Sequence, residues 1–378
     1  MTYKSEHQKS FEGHALPKWR RAPLPEDILN RTISSAAFTI ENKDNQTDMH
    51  PLDPDGNGAV LDLLLASEKN FKNHLGDAFI SHTSAKSRNG FHITSSQSSD
   101  RLNPVQINYD LSQTPAMAER NLIHAKSGHS MSVVLRYTNA DAHQTRHHGV
   151  TSVIAEPGST LDIVRFQDLS SDSEFFDNIH FQVEEGATVR FFDYQIGGSF
   201  KALGCQADLK GRHSQFEVYN GYLGFGDDLL DISYMAQHFG AHSQSKILAK
   251  GALGDRARKT FRGTLDFKSG SKTAVGQEEE FVLILSPDVN SDSIPALMCE
   301  EDDVIGEHAA SVGRMDTDLL FYMMSRGFSE DEARRTLVTA AVAETLEELE
   351  IKSLREEILS AFEVRLSENK QALVPARS

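Results

Sequence analysis

Glu156-Pro157-Gly158-Ser159-Thr160-Leu161 and Glu184-Glu185-Gly186-Ala187-Thr188-Val189 are one phrase written twice, 28 residues apart. A glycine followed closely by Ser or Thr and leading into apolar alternation returns at Gly211…Ser214, Gly240…Ser243 and Gly270…Thr273. The intervals between these glycines are 28, 25, 29 and 30 residues. Self-similarity at such a period marks a solenoid, whose coils bury their apolar faces only by stacking on one another. Each period holds strands and turns, as in Ser132–Tyr137, Thr188–Tyr194 and Phe281–Leu285, which are β-branched and aromatic and bounded by Gly, Asp and Ser. The solenoid is therefore a β-helix. An antiparallel sandwich with evenly spaced turns is the competing reading of the same spacing.

On either side of this core the pattern changes. Residues 1–125 read as an irregular, partly helical N-terminal region, with prolines at 17, 23, 25, 51 and 54 and short helices over Glu26–Asn30 and Val60–Leu65. The β-helix core is placed at 126–313 and a helical region at 314–378. In that last region Asp316 can cap a helix ending near Arg326, with Gly327 just past its end. Ser329…Glu332 and Ser353…Glu356 read as capping boxes. Ala333, Leu337, Ala340 and Ala341 form one apolar face, and Ile358, Phe362 and Leu366 another. The acidic run Glu344–Glu350 reads as a solvated helix face or a surface for a basic partner.

Composition narrows the function. The 378 residues carry a formal net charge of −17, which argues against broad nucleic-acid binding; Lys18, Arg20 and Arg21 are only a short basic patch. No apolar run reaches membrane-spanning length and no secretory signal is visible. The two cysteines, Cys205 and Cys299, argue against a disulfide scaffold and for a reduced cytoplasmic location. They also leave this chain unable to complete a four-cysteine cluster or zinc site by itself. There is no GxxxxGK[ST], GxSxG or HExxH, so no ATP-binding loop or familiar hydrolytic centre is expected. Gly221–Gly226 reads as a turn and the His143–His148 cluster as a polar loop. Cys205 reads as a small buried hydrophobe. Arg256, Arg258 and Arg262 read as solvated arginines, with an ion-pair ladder next.

Cys299 to Gly327 holds the chemistry that remains. A thiolate at Cys299 and an imidazole at His308 can ligate iron, zinc or a nascent cluster, with Glu300, Asp302, Asp303 and Glu307 as nearby oxygen donors. Two or three donors make an incomplete site, suited to transfer or to an interface between subunits. On residue chemistry alone, a structural hydrogen bond of His308 at a strand-to-helix corner is the favoured reading.

Two segments resemble the SufB/SufD family of iron–sulfur cluster assembly proteins. One runs from His242-Ser243-Gln244-Ser245 through Lys250-Gly251-Ala252-Leu253 to Phe261-Arg262-Gly263. The other joins Asp303-Val304 and His308-Ala309-Ala310-Ser311-Val312-Gly313 to Leu320–Gly327 and Glu332-Ala333. Length and cysteine poverty resemble SufD more than SufB. The resemblance implies a right-handed parallel β-helix and a non-enzymatic scaffold. It implies a SufB-like partner on the last coils and a SufC-like ATPase on the C-terminal helices. No cofactor is expected to be held stably; a transient iron–sulfur cluster would form at the SufB-like interface. His308 matches the family's interface histidine, with Glu307 and Cys299 as further candidate ligands. Many SufD proteins have a cysteine two residues before that histidine, where this chain has Gly306, and Glu307-His308 resembles a pair found in SufB. A homodimer preceding the complex stays open. The alternatives are a carbohydrate-active β-helix enzyme with paired carboxylates along a groove, or a purely structural interaction subunit.

Overall fold

In the computed structural model the described residues are 33, 36–42, 46–52, 58–71, 75–87, 89–139 and 144–373. The expected helix at Glu26–Asn30, the Lys18–Arg21 patch and His143 lie outside them.

From Phe91 onward the chain winds into a parallel β-solenoid of about 8 turns. One sheet stacks, in chain order, Val105–Asp110, Ser130–Thr138, Thr160–Asp168, Thr188–Gln195, Gln215–Gly224, Gln244–Leu253, Ala274–Ile284 and Val304–Arg314. The facing sheet stacks Phe91–Ser95, Met117–Ala125, Arg146–Ala155, Glu174–Val183, Phe200–Leu209, Leu229–His238 and Arg258–Phe267. It ends in the short Asn290–Ser293 and Ala296–Cys299. Two antiparallel strands, Ala37–Glu41 and Thr47–Pro51, close the first coil. Parallel pairing thus begins ahead of residue 126. The serine run after Phe91–Ser95 is a connection whose hydroxyls bond to backbone carbonyls, Ser96 to Gln46 and Ser99 to Ser130.

The repeat marks the turns, but at two different positions. Gly128, Gly158, Gly186, His213, His242 and Thr273 all have positive φ, and each donates its backbone N–H to the next turn of the stack. Gly211 and Gly240 serve another purpose, because a Cβ on Gly211 would stand 1.9 Å from the Glu185 nitrogen and one on Gly240 2.0 Å from the Gly211 carbonyl oxygen. These two glycines allow successive turns to touch backbone to backbone. The mixing of the two positions explains the uneven intervals.

Inward-facing Leu, Ile, Val and Phe side chains fill one continuous core. Helices α1 (Gly58–Asn70) and α2 (Asp77–Lys86) flank the second sheet. Phe71, Phe79 and Ile80 pack there on Val150, Phe176 and Phe200. Val60–Leu65 falls within α1. No helix of the described residues is long and apolar enough to cross a membrane.

The C-terminal helices are α3 (Thr317–Ser325), α4 (Glu330–Ala343), α5 (Lys352–Glu368) and α6 (Lys370–Leu373). Asp316 caps α3, Gly327 takes φ 104°, and Ser329–Glu332 forms the expected capping box. Ser353–Glu356 does not: α5 starts at Lys352, one residue earlier, and has no side-chain cap. The buried face of α4 is Ala333, Arg334, Val338 and Val342: Ala333 is buried as expected, whereas Leu337 and Ala341 are half-buried and Ala340 is exposed. With Ile358, Phe362 and Leu366 of α5, Val338 and Val342 cover the outer face of the first sheet at Phe192, Tyr194, Tyr219 and Leu223. Gly221 lies inside a strand, where its missing side chain makes room for Tyr194 and Val342. The acidic run is not a helix face: Glu347 and Glu348 are solvated, while its two ends are paired. It forms a short 3-10 turn in which Glu344 pairs with Lys250, and beyond it Glu350 pairs with Arg101 and Arg190.

Candidate functional site

Among the described residues the last coil has no successor, so its inward-facing positions remain uncovered. Val304–Arg314 pairs with Ala274–Ile284 in register, with Glu307 beside Gln277 and His308 beside Glu278. Alternation continues the buried column Ala274, Gly276, Glu278, Glu280 and Val282 into Val304, Gly306, His308, Ala310 and Val312. The small residues Ala309, Ala310 and Gly313 therefore lie in a strand, because the preceding coil offers them a complete ladder. Val312 is 60% exposed and Leu297 46%, and Cys299 is also exposed.

His308 is the chemically distinctive group at this end. Its Nδ1 lies 2.8 Å from Glu278 Oε2, and the Glu278 side chain is only 1% exposed. His308 Nε2 is buried and has no hydrogen-bond partner. Burial pushes the Glu278 carboxyl up, and the contact with His308 offsets part of that rise. An imidazole held by a carboxylate at one nitrogen and unpartnered at the other is a common arrangement for a ligand to a soft or borderline metal.

The other two expected ligands are placed apart from it. Glu307 points to the opposite face of the strand and accepts a hydrogen bond of 2.8 Å from Gln277 Nε2. Cys299 belongs to the other sheet, in register with Phe267. Among the described residues, three potential ligand atoms come within 4.8 Å of one another at Glu119, His147 and Asp177, and not at His308, Glu307 or Cys299. This chain therefore brings one imidazole to the open end, with an exposed thiol on the same last coil.

The buried trio corrects the expected polar loop. His147 and His148 lie on the strand Arg146–Ala155 and are fully buried. His147 Nε2 is 3.0 Å from Glu119 Oε1, whereas its Nδ1 faces Asp177 Oδ2 at 3.9 Å. Opposite ring nitrogens serve the two acids, so the trio is a bridge and not a chelate. Burial opposes the charge on Glu119, but His147 and the tyrosine hydroxyls outweigh it and hold its carboxyl below the usual range. Cys205 is buried as expected, which pushes its thiol up. The arginines divide: Arg262 is buried against Asp231 as in the ladder reading, Arg258 is exposed as in the solvated reading, and Arg256 sits in a turn before the strand, paired in the open with Asp227.

Sequence reasoning missed Glu119 and Asp177, each of which looks solitary in the chain, and saw Glu278 only as part of the acidic run Glu278-Glu279-Glu280, not as the partner of His308. Coil period is the signal that finds them: Glu119 and His147 are 28 residues apart, and Glu278 and His308 are 30.

A second surface adjoins the first. The strand ends at Arg314 and α3 begins at Thr317, with only Leu320 of that helix buried. Phe321 is 73% exposed and Tyr322 54%, with Leu319, Met324 and Phe328 exposed beside them. Clustered exposed aromatics of this kind mark interaction surfaces.

The family model described as SUF system FeS cluster assembly, SufBD core domain, matches residues 108–341. The iron–sulfur cluster assembly protein SufD of Bacillus subtilis is 36% identical over 141 residues, 37% of this chain and 32% of that protein. A SufBD family protein of Mycobacterium leprae is 27% identical over 222 residues, 57% of each chain. SufD of Escherichia coli is 26% identical over 182 residues, 48% of this chain and 43% of that protein. The chain thus spans less than two thirds of the length of these relatives.

Proposed function

Because this chain belongs to the SufBD family of SUF-system iron–sulfur cluster assembly proteins, we propose that it is a SufD-like, non-catalytic scaffold subunit. It pairs with a SufB-like subunit through its uncovered last coil and carries a SufC-like ATPase on α3. The cluster is cargo, assembled transiently between the two scaffold subunits in the reduced cytoplasm. His308 Nε2 is this chain's ligand to it; the partner supplies the others, with Cys299 available at the rim. The carrying observation is that buried nitrogen, unpartnered among the described residues, on a coil with no described strand stacked above it. A buried polar atom without a partner costs about 1–3 kcal/mol, and binding at the interface would recover this.

The arrangement also suggests how nucleotide hydrolysis in the partner acts on the cargo. Met315 and Asp316 alone separate the edge strand from α3. A shift of α3 on the ATPase is therefore passed directly to the strand that holds His308. The acids that the carbohydrate-active alternative would use are otherwise engaged, Glu280 buried against Lys259 and Asp227 paired with Arg256.

Val312→Arg tests the partner surface. The added charge sits where the next coil would stack, in a position already open to solvent, so folding should be unaffected. Co-expression with SufB-like and SufC-like subunits should yield a complex lacking the SufB-like subunit, measured by native mass spectrometry. Recovery of the wild-type stoichiometry would contradict the proposed surface. A second copy of this chain in place of the SufB-like subunit would identify the open end as a homodimer interface instead.

A further inference from the structure

We infer that Glu278 is a positioning residue that fixes the tautomer of His308, and that Gly263 on the facing strand exists to give Glu278 room. This rests on the reading of His308 as a ligand but extends it to two residues with no other assigned part. A carboxylate facing Nδ1 at 2.8 Å accepts its hydrogen. The proton is thereby held at Nδ1 and the lone pair at Nε2, the nitrogen left without a partner.

The surroundings reserve Glu278 for this task. Glu280 lies two residues along on the same inward face and is already engaged by Lys259, Ser293 and Tyr222. Glu278 reaches across the solenoid interior into the space left by Gly263: a Cβ there would lie 2.5 Å from Glu278 Cγ and 2.6 Å from its Cδ. Gly263 closes the Phe261-Arg262-Gly263 segment. Its neighbours already have tasks, Phe261 in the core and Arg262 against Asp231. The glycine's task is the carboxylate.

Histidine-selective 15N NMR of the full chain tests the inference, with the His308 signal assigned by its loss in His308→Ala. The wild-type signal should report the Nδ1–H tautomer. Glu278→Met keeps the volume but removes the acceptor, and should move His308 to the Nε2–H form that free imidazole side chains prefer. Gly263→Ala should do the same by displacing the carboxylate, whereas Glu278→Gln, which retains an acceptor oxygen, should keep the wild-type tautomer. Fe(II) binding to the anaerobic complex with SufB-like and SufC-like subunits should weaken about tenfold to a hundredfold in Glu278→Met. An unchanged tautomer in Glu278→Met would overturn the inference. If His308→Ala leaves Fe(II) binding at the wild-type level, the ligand reading fails, while the tautomer measurement still decides the role of Glu278.

Discussion

Arg165→Leu should destabilise the solenoid by about 3–5 kcal/mol, the cost of stripping the partner from a buried charge. The Arg165 side chain is only 2% exposed. It lies between Asp177 Oδ1 at 2.5 Å and Asp193 at 2.6 and 2.8 Å, and Tyr234 donates its hydroxyl to the same Asp193. Burial works against the guanidinium charge, yet Asp193 and Asp177 outweigh it and its pKa rises. Leucine would fill part of the volume and leave two buried carboxylates without a counter-charge.

The penalty should depend on pH. Burial already pushes the Asp177 carboxyl above its ordinary value, and removal of Arg165 pushes it further. A carboxyl raised in the folded state stabilises the fold only below its unfolded pKa and loses that contribution as pH rises. The variant should therefore fall further behind the wild type at pH 7 than at pH 4. Urea unfolding at the two pH values measures this, with Arg256→Leu as the control. Arg256 and Asp227 pair in the open, at 64% and 74% exposure, and their loss should leave the midpoint where it was. Equal midpoints for the two variants would show that the buried ladder does not hold the coils.

Phe321→Asp should abolish co-purification with the SufC-like ATPase while leaving the fold intact. Phe321 projects from α3 with most of its surface in water, so the isolated chain loses little packing. An aromatic anchor at the centre of an interface is worth about 2 kcal/mol or more, and a buried carboxylate in its place adds a desolvation cost. Deleting residues 315–378 would be a poorer experiment. It would strip Val338, Val342, Ile358 and Phe362 from the outer face of the first sheet, so failure to bind would follow from a damaged solenoid. Retention of the ATPase by Phe321→Asp, measured by affinity capture from co-expressing cells, would move the dock elsewhere.

The β-solenoid was legible because stacking forces a period on the chain, and Gly158 and Gly186 repeat at the same position of successive turns. The same rule was harder to read beyond Gly186, where His213 and His242 take the left-handed position that glycine held before. Helix ends were legible where a cap is local, as at Asp316 and Ser329. They were not at α5, which starts at Lys352 with no side-chain cap and whose first turn is tied back by Arg355 donating to the Leu349 carbonyl. His308 stood out from the motif around it. Its environment did not, because Glu278 is a full coil away, and because a strand rich in Gly and Ala resembles a turn until its ladder is known. Glu307 illustrates the converse: adjacent in sequence, it is turned away by the strand's alternation.

The most direct measurement is the iron and acid-labile sulfide content of the complex with SufB-like and SufC-like subunits after anaerobic reconstitution, compared between wild type and His308→Ala. Loss of most of the iron and sulfide from the His308→Ala complex, at unchanged subunit stoichiometry and thermal stability, is the predicted result. Wild-type iron and sulfide in that complex would contradict the account and leave the open end as a structural contact alone.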